Sequence, residues 1–174
     1  MKTLYIERST GESRDGDWAE GLDLEGVERI VVGTGPGSFA GIRSALAFAQ
    51  GYALATHCEV LGLPSACALA GEGHIAVIGD ARQGKAWVAL FDGYRLEKDV
   101  FQVGQDELKG AVPVEYRVVT PDAKRIDGLL KEVFGERYLG GRIPTSEGLR
   151  RFAEACPSIL KPEPLPIYLN PAVR

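Results

Sequence analysis

The chain has 174 residues, of which 24 are acidic and 20 basic, for a formal charge of −4; without a long basic run, this argues against a dedicated nucleic-acid surface. A hydrophobic fraction of 45% and a charged fraction of 25% fit a globular chain rather than a disordered one, and 22 glycines imply many tight turns. Apolar stretches end well short of the roughly 18 residues that span a bilayer, and Met1-Lys2 leads straight into a strand pattern, so neither a membrane helix nor a secretory signal is expected.

Thr3 to Ile6 reads as a strand, and the polar stretch from Glu7 to Glu25 is broken by Gly11, Gly16 and Gly21. Val27 to Val32 is a β-branched strand that stops abruptly at Gly33-Thr34-Gly35-Pro36-Gly37. From Ser38, an apt N-cap, Ile42, Ala45, Leu46, Ala49, Ala53 and Leu54 recur at three- and four-residue spacing and predict a helix to about Thr56. Glu59 to Leu63 is the next strand, followed by a short helix over Ala66 to Ala70. This alternation predicts an α/β sheet with parallel strands and helical crossovers.

His74 to Gly79 and Lys85 to Phe91 read as strands joined by an Asp80-Ala81-Arg82-Gln83-Gly84 hairpin, with Tyr94 to Leu96 as a third antiparallel member. The change from crossovers to a meander places a lobe boundary near Gly71–Gly73, giving lobes of 1–72 and 73–174. Further on, the pattern predicts a short helix at Gln105–Lys109, a strand at Tyr116–Thr120 and a helix at Asp122–Phe134. A short strand at Tyr138-Leu139, a helix at Thr145–Cys156 and a stiff, proline-rich approach to Ile167–Leu169 complete the chain. Trp87 and Phe91 share a strand face and are expected in the core.

The glycine run follows a strand and opens a helix, where amides and the helix dipole suit an anion; Gly33, Gly35, Gly37 and Ser38 are the candidate residues. It matches neither the P-loop, which needs a following Lys-Ser or Lys-Thr, nor the dinucleotide fingerprint. Tight packing of helix on sheet explains the same glycines equally well. Cys58, Cys67 and Cys156 form no CxxC pair and suit a reducing cytoplasm. His57 and His74 lie seventeen positions apart and make no metal-ligand pair, so no metal is expected.

Gly35-Pro36-Gly37-Ser38-Phe39-Ala40-Gly41-Ile42-Arg43, with Ala49-Gln50-Gly51 and Val60-Leu61-Gly62-Leu63-Pro64-Ser65, resembles the signature of the TsaB (YeaZ) family. The likeness continues in Asp80-Ala81-Arg82-Gln83-Gly84-Lys85 and in Pro166-Ile167-Tyr168-Leu169, so that it covers about Val27 to Leu169 in order. The resemblance implies a two-lobed fold of the actin-like ATPase and ribonuclease-H type. It also implies a cytoplasmic, non-catalytic partner of the threonylcarbamoyl transferase TsaD in tRNA threonylcarbamoyladenosine synthesis, with a TsaE-like ATPase as a further partner. Such a subunit would meet tRNA only through the complex and hold no cofactor alone, ATP or ADP at a partner interface being compatible with it.

Only 32 residues precede Gly33, fewer than in the family pattern, so a truncated N-terminal lobe is expected, and Glu7-Arg8-Ser9-Thr10 stands where the family has Asp-Thr-Ser. Under this reading the helix after the glycines docks on TsaD or on a second copy of the chain, through Phe39, Ile42, Arg43, Ala45, Leu46, Ala49 and Ala53, with Asp80 and Arg82 as a charged contact. The alternative is a small ATPase that uses Gly33–Gly37 as its phosphate loop and Asp80 as its metal carboxylate.

Overall fold

The computed structural model describes residues 1–10 and 19–169; Gly11 and Gly16, read above as helix breakers, lie outside them. In chain order the elements are β1 (Lys2–Ile6), β2 (Val27–Gly33), α1 (Phe39–Thr56), β3 (Glu59–Leu63), β4 (His74–Arg82), β5 (Lys85–Asp92), β6 (Arg95–Leu96) and β7 (Phe101–Gly104). They continue as α2 (Leu108–Ala111), β8 (Arg117–Thr120), α3 (Ala123–Phe134), β9 (Tyr138–Gly141), α4 (Ser146–Ala155) and β10 (Lys161–Pro162). The short helix expected at Ala66–Ala70 is a 3-10 turn over Ser65–Leu69.

Two compact units emerge. The first joins Met1–Ala68 to Pro144–Ile167, and the second holds Leu69–Ile143 and the segment from Tyr168. This differs from a simple division after residue 72, because α4 returns to the first unit. Its stripe of Leu149, Phe152 and Ala153 is buried and it lies beside β1, while β10 adds antiparallel to β3. An amphipathic helix goes where its apolar stripe is covered, and chain order does not say where that is.

In the first unit the sheet order is β1-β2-β3-β10, with β2 parallel to both β1 and β3. Central β2 is buried on both faces, which is why Ile30, Val31 and Val32 are consecutive rather than alternating with polar residues. Ile30 and Val32 meet Ile42, Ala45, Leu46 and Ala49 of α1 in one core cluster. Ser38 caps α1 as expected, its hydroxyl accepting the Gly41 N–H at 3.3 Å, and Thr145 caps α4 by accepting from Gly148 at 3.0 Å.

In the second unit the order is β6-β5-β4-β8-β9, with β7 also pairing β5. β4–β5–β6 is the antiparallel meander, and β8 then joins β4 in parallel. Ile78, Val88, Leu90 and Val118 form one core with Leu108 of α2 and Ile126, Leu130 and Phe134 of α3. Trp87 and Phe91 are buried, and the Trp87 indole lies across Gly79, 2.2 Å from where a Cβ there would be.

Gly148 shows how tightly α4 is seated: a Cβ added to it would come within 2.3 Å of the Ala68 carbonyl oxygen. Backbone cannot rotate aside as a side chain does, so Gly148→Ala is expected to destabilise the chain by about 1–3 kcal/mol, the usual cost of overpacking. Urea unfolding measures this directly, and an unchanged midpoint would refute the seating of α4 on the Ser65–Leu69 turn.

Candidate functional site

The glycine run leaves β2 and turns into α1 through a set of backbone bonds that lie wholly within the first unit. Thr34 N–H donates to Leu63 O at 2.9 Å, Gly35 N–H to Ser65 Oγ at 2.9 Å, and Ser38 N–H to Ser9 O at 2.6 Å. The Thr34 carbonyl accepts from Ile167 N–H at 2.8 Å, which ties down the proline-rich segment whose Pro164 packs on Gly62. Gly35 has φ +91 and precedes a cis Pro36.

Three glycines admit the N-terminal turn. A Cβ on Gly33 would lie 1.9 Å from Glu7 Oε2, one on Gly37 2.2 Å from Ser9 O, and one on Gly41 2.0 Å from Arg8 O. The Glu7–Thr10 turn therefore occupies the ground over the glycines. Anion binding at such a site needs amides aimed at the ligand; here the amides of Thr34, Gly35, Ser38 and Gly41 are all committed to protein acceptors.

Glu7 is the residue that sequence reasoning missed. Its N–H donates to Ser146 Oγ at 3.2 Å and its Oε1 accepts the Ser9 N–H at 2.6 Å, while Oε2 is enclosed with no hydrogen-bond partner among the described residues. The residue as a whole is half-buried, but Oε2 is shut in. Burial pushes its pKa up, with Ser9 and Ser65 acting in the opposite direction. The detectable signal was the four-residue spacing of Gly33, Gly37 and Gly41, which calls for a close backbone neighbour without naming it. Cys67 nearby is fully buried and its thiol is pushed well up by that burial, so it is no activated nucleophile.

The expected docking residues of α1 divide between its two faces. Ile42, Ala45, Leu46 and Ala49 are buried in the unit's own core, with Ala53 half-buried beside them. They are not available to a partner: their small size lets α1 sit close on its own sheet. Phe39 and Arg43 do lie outside, the guanidinium stacked 3.9 Å over the Phe39 ring. Ala47, Gln50, Gly51 and Leu54 share that outer face, and Phe39 and Leu54 are 56% and 83% exposed. Arg43 is the one charged residue in Phe39–Thr56.

Asp80 and Arg82 belong to the second unit, at the end of β4. Asp80 Oδ1 accepts the Arg82 N–H at 2.9 Å, and the Asp80 N–H donates to Asp122 Oδ2 at 2.8 Å. His57 ends α1 in a left-handed cap and His74 lies 3.7 Å from Asp92. Among the described residues no group of three or more His, Cys, Asp or Glu side chains could hold a metal ion.

Each unit is thus a mixed α/β sheet with helices packed against it, the fold of the solved YeaZ structures. Residues 19–119, more than half of the chain, match the family model described as TsaD: tRNA N6-adenosine threonylcarbamoyltransferase, and the chain belongs to that family. Among solved structures, it is similar to an uncharacterised protein with similarity to peptidase YeaZ from Pseudomonas aeruginosa, with a TM-score of 0.71 and 20% identity over 98% of this chain and 100% of that one. YeaZ from Pseudomonas aeruginosa follows, with a TM-score of 0.66 and 22% identity over 86% of this chain and 78% of its own. An uncharacterised protein of Mycobacterium tuberculosis H37Rv and one of Mycobacterium bovis are each 36% identical over 77 residues, 42% of this chain. The chain spans about a third (36%) of the length of these curated relatives. No helix among the described residues is long and apolar enough to cross a membrane.

The Glu7 site makes a pH prediction. A carboxyl whose folded pKa is raised contributes stability that is fully present below its unfolded value, near 4.5, and is lost as pH rises through the folded pKa. Glu7→Gln keeps the shape and removes the titration. Chemical denaturation from pH 4 to pH 8 should therefore show wild type losing ground to Glu7→Gln as pH rises, and parallel stability curves would exclude an enclosed carboxyl at this place.

Proposed function

We propose that the chain is a non-catalytic, TsaB-type partner subunit in the synthesis of threonylcarbamoyladenosine on tRNA, and that it docks on a TsaD-like transferase through the outer face of α1. The single observation that carries the reading is the makeup of that face: Phe39, Ala47, Gly51 and Leu54 are open to solvent on a helix with one charge. A largely apolar helix face calls for cover, and among the described residues the inner side of α1 is packed while Phe39 and Leu54 are not covered. Small residues at Ala47 and Gly51 let a second helix approach closely. Family membership supports the transferase as partner.

A second copy of the chain is the competing occupant of the same face, and a TsaE-like ATPase is a further member of the assembly. tRNA is met through the complex, in keeping with the net charge of −4. Cys58, Cys67 and Cys156 are all free thiols, in keeping with a cytoplasmic setting. ATP hydrolysis at Gly33–Gly37 has less support, because the amides of Thr34, Gly35 and Ser38 are already bonded and burial pushes the Glu7 pKa up. ATP or ADP fits better at a partner interface than on this chain alone.

Gly51 provides a clean test, since a Cβ there meets nothing within 4 Å. Gly51→Arg should leave the fold intact and even favour α1 by about 0.5–1 kcal/mol. The same substitution places a long charged side chain in the docking face. Co-purification with the TsaD-like protein of the same organism should fall at least about tenfold, a loss of roughly 1.4 kcal/mol. Ala49→Arg, by contrast, buries an unpaired charge and should unfold the first unit. Full association by a stable Gly51→Arg variant would remove this face from the proposal.

A further inference from the structure

Arg82 and Arg125 converge on one oxygen of Asp80 without being held by it. Arg82 Nε lies 3.7 Å and Arg125 Nη1 3.5 Å from Asp80 Oδ2. Both exceed the roughly 2.7–2.9 Å of a charge-assisted hydrogen bond. Other arginines of the chain are used differently: Arg29 reaches Glu59 at 2.6 Å, Arg150 reaches Glu147 at 2.6 Å, and Arg137 donates to Pro113 O at 2.6 Å. Arg82 and Arg125 donate no side-chain hydrogen bond among the described residues and are 62% and 48% exposed, over an Asp80 side chain that is 11% exposed.

The backbone around them is built to keep that arrangement. Gln83-Gly84 forms the tip of the hairpin, where both residues are left-handed, and Arg82 just outside it also has φ +67. Glycine would hold that conformation without steric cost, so an arginine is retained there against local preference. Asp80 spends Oδ1 on the Arg82 amide, and Asp122 Oδ2 takes the Asp80 amide, which fixes both carboxylates beneath the guanidiniums. Asp122 in turn heads the twelve-residue α3, whose dipole adds positive potential, and Arg142 joins through its amide to Thr120 O at 2.8 Å. Lys124 and Arg142 are exposed, and the local balance is positive on a chain that is negative overall.

We propose that Arg82 and Arg125 form a receptor for a phosphate group, gathered at the largely buried Asp80 carboxylate and left exposed to solvent. Two guanidinium forks that meet at one carboxylate oxygen suit the several oxygens of one phosphoryl group better than that single carboxylate. The repulsion from the acids beneath is limited, because Asp80 is offset by both arginines and burial pushes Asp122 toward its neutral form. The phosphate source is either a small phosphate compound or the phosphodiester backbone of RNA. This site lies in the second unit and does not depend on the docking face of α1.

Titration of the isotope-labelled full chain with inorganic phosphate, at constant ionic strength against chloride, tests it by NMR. Phosphate, and not chloride, should shift the Arg82 and Arg125 side-chain Nε–H signals and the amides of Arg82 and Ala123. Arg125→Gln should weaken the response at least about tenfold, as expected for loss of a charged hydrogen bond. Arg82→Gly separates binding from folding, because it should abolish the response while holding or raising the melting temperature. A short single-stranded RNA without terminal phosphates then assigns the source: tighter binding at the same signals means a polyanion, and no binding means a small phosphate compound. Equal responses to phosphate and chloride, or wild-type titrations from both variants, would overturn the proposal.

Discussion

The first unit depends on one close approach of backbone to backbone. Gly37 and Gly41 lie against the backbone of Ser9 and Arg8 at separations that no side chain beyond hydrogen allows, and Gly33 faces the Glu7 carboxyl. The Ser9 carbonyl then accepts the Ser38 amide at 2.6 Å, so that the N-terminal turn closes on the start of α1 at the residue that caps it. From that fixed start follow the seating of Ile42 and Ala45 on Ile30 and Val32, and with it which side of α1 is left outside. A glycine run with the outward look of a ligand loop thus serves to join two segments of main chain.

Small residues have two distinct consequences on α1. On the inner side, Ala45 and Ala49 remove bulk so that the helix axis approaches the sheet, and their burial is complete. On the outer side, Ala47 and Gly51 remove bulk where nothing among the described residues fills the space. Solubility alone would place Lys or Glu at those outer positions, as α3 does with Lys124, Lys131 and Glu132. The contrast between two helices of the same chain is what gives the outer face of α1 its meaning.

Much of the framework was legible in the residues because it is local. The β-branched run of β2, Ser38 and Thr145 as caps, the Asp80–Gly84 hairpin and the apolar stripe of α3 each reside in a short window. What could not be read was long-range or two-sided. Short β7 and β10 exist only through their pairing with β5 and β3, and Lys161-Pro162 has no strand character of its own. The return of α4 to β1 is likewise a matter of which surface needed covering. On α1 the periodicity found the helix but not its inner face, since alanine lines both sides; the buried Ala45 and Ala49 were therefore read as docking residues. Glu7 was hidden for a related reason: nothing near it in sequence marks a carboxyl as enclosed.

Chemistry at the strand ends of such a fold needs two things in one place, amides or cations free to meet an anion and a carboxylate free to ionise. In the first unit the amides of Gly35 and Ser38 are bonded within the protein, and the carboxyl beside them is held toward neutrality by its own burial. In the second unit the cations are present, but Asp80 faces two guanidiniums and burial pushes the Asp122 pKa up. Among the described residues, each unit therefore offers one half of what phosphoryl chemistry asks for. That division is what the proposed binding-and-positioning role rests on, and it is why the proposed anion site is sought at Arg82 and Arg125 rather than at the glycine turn.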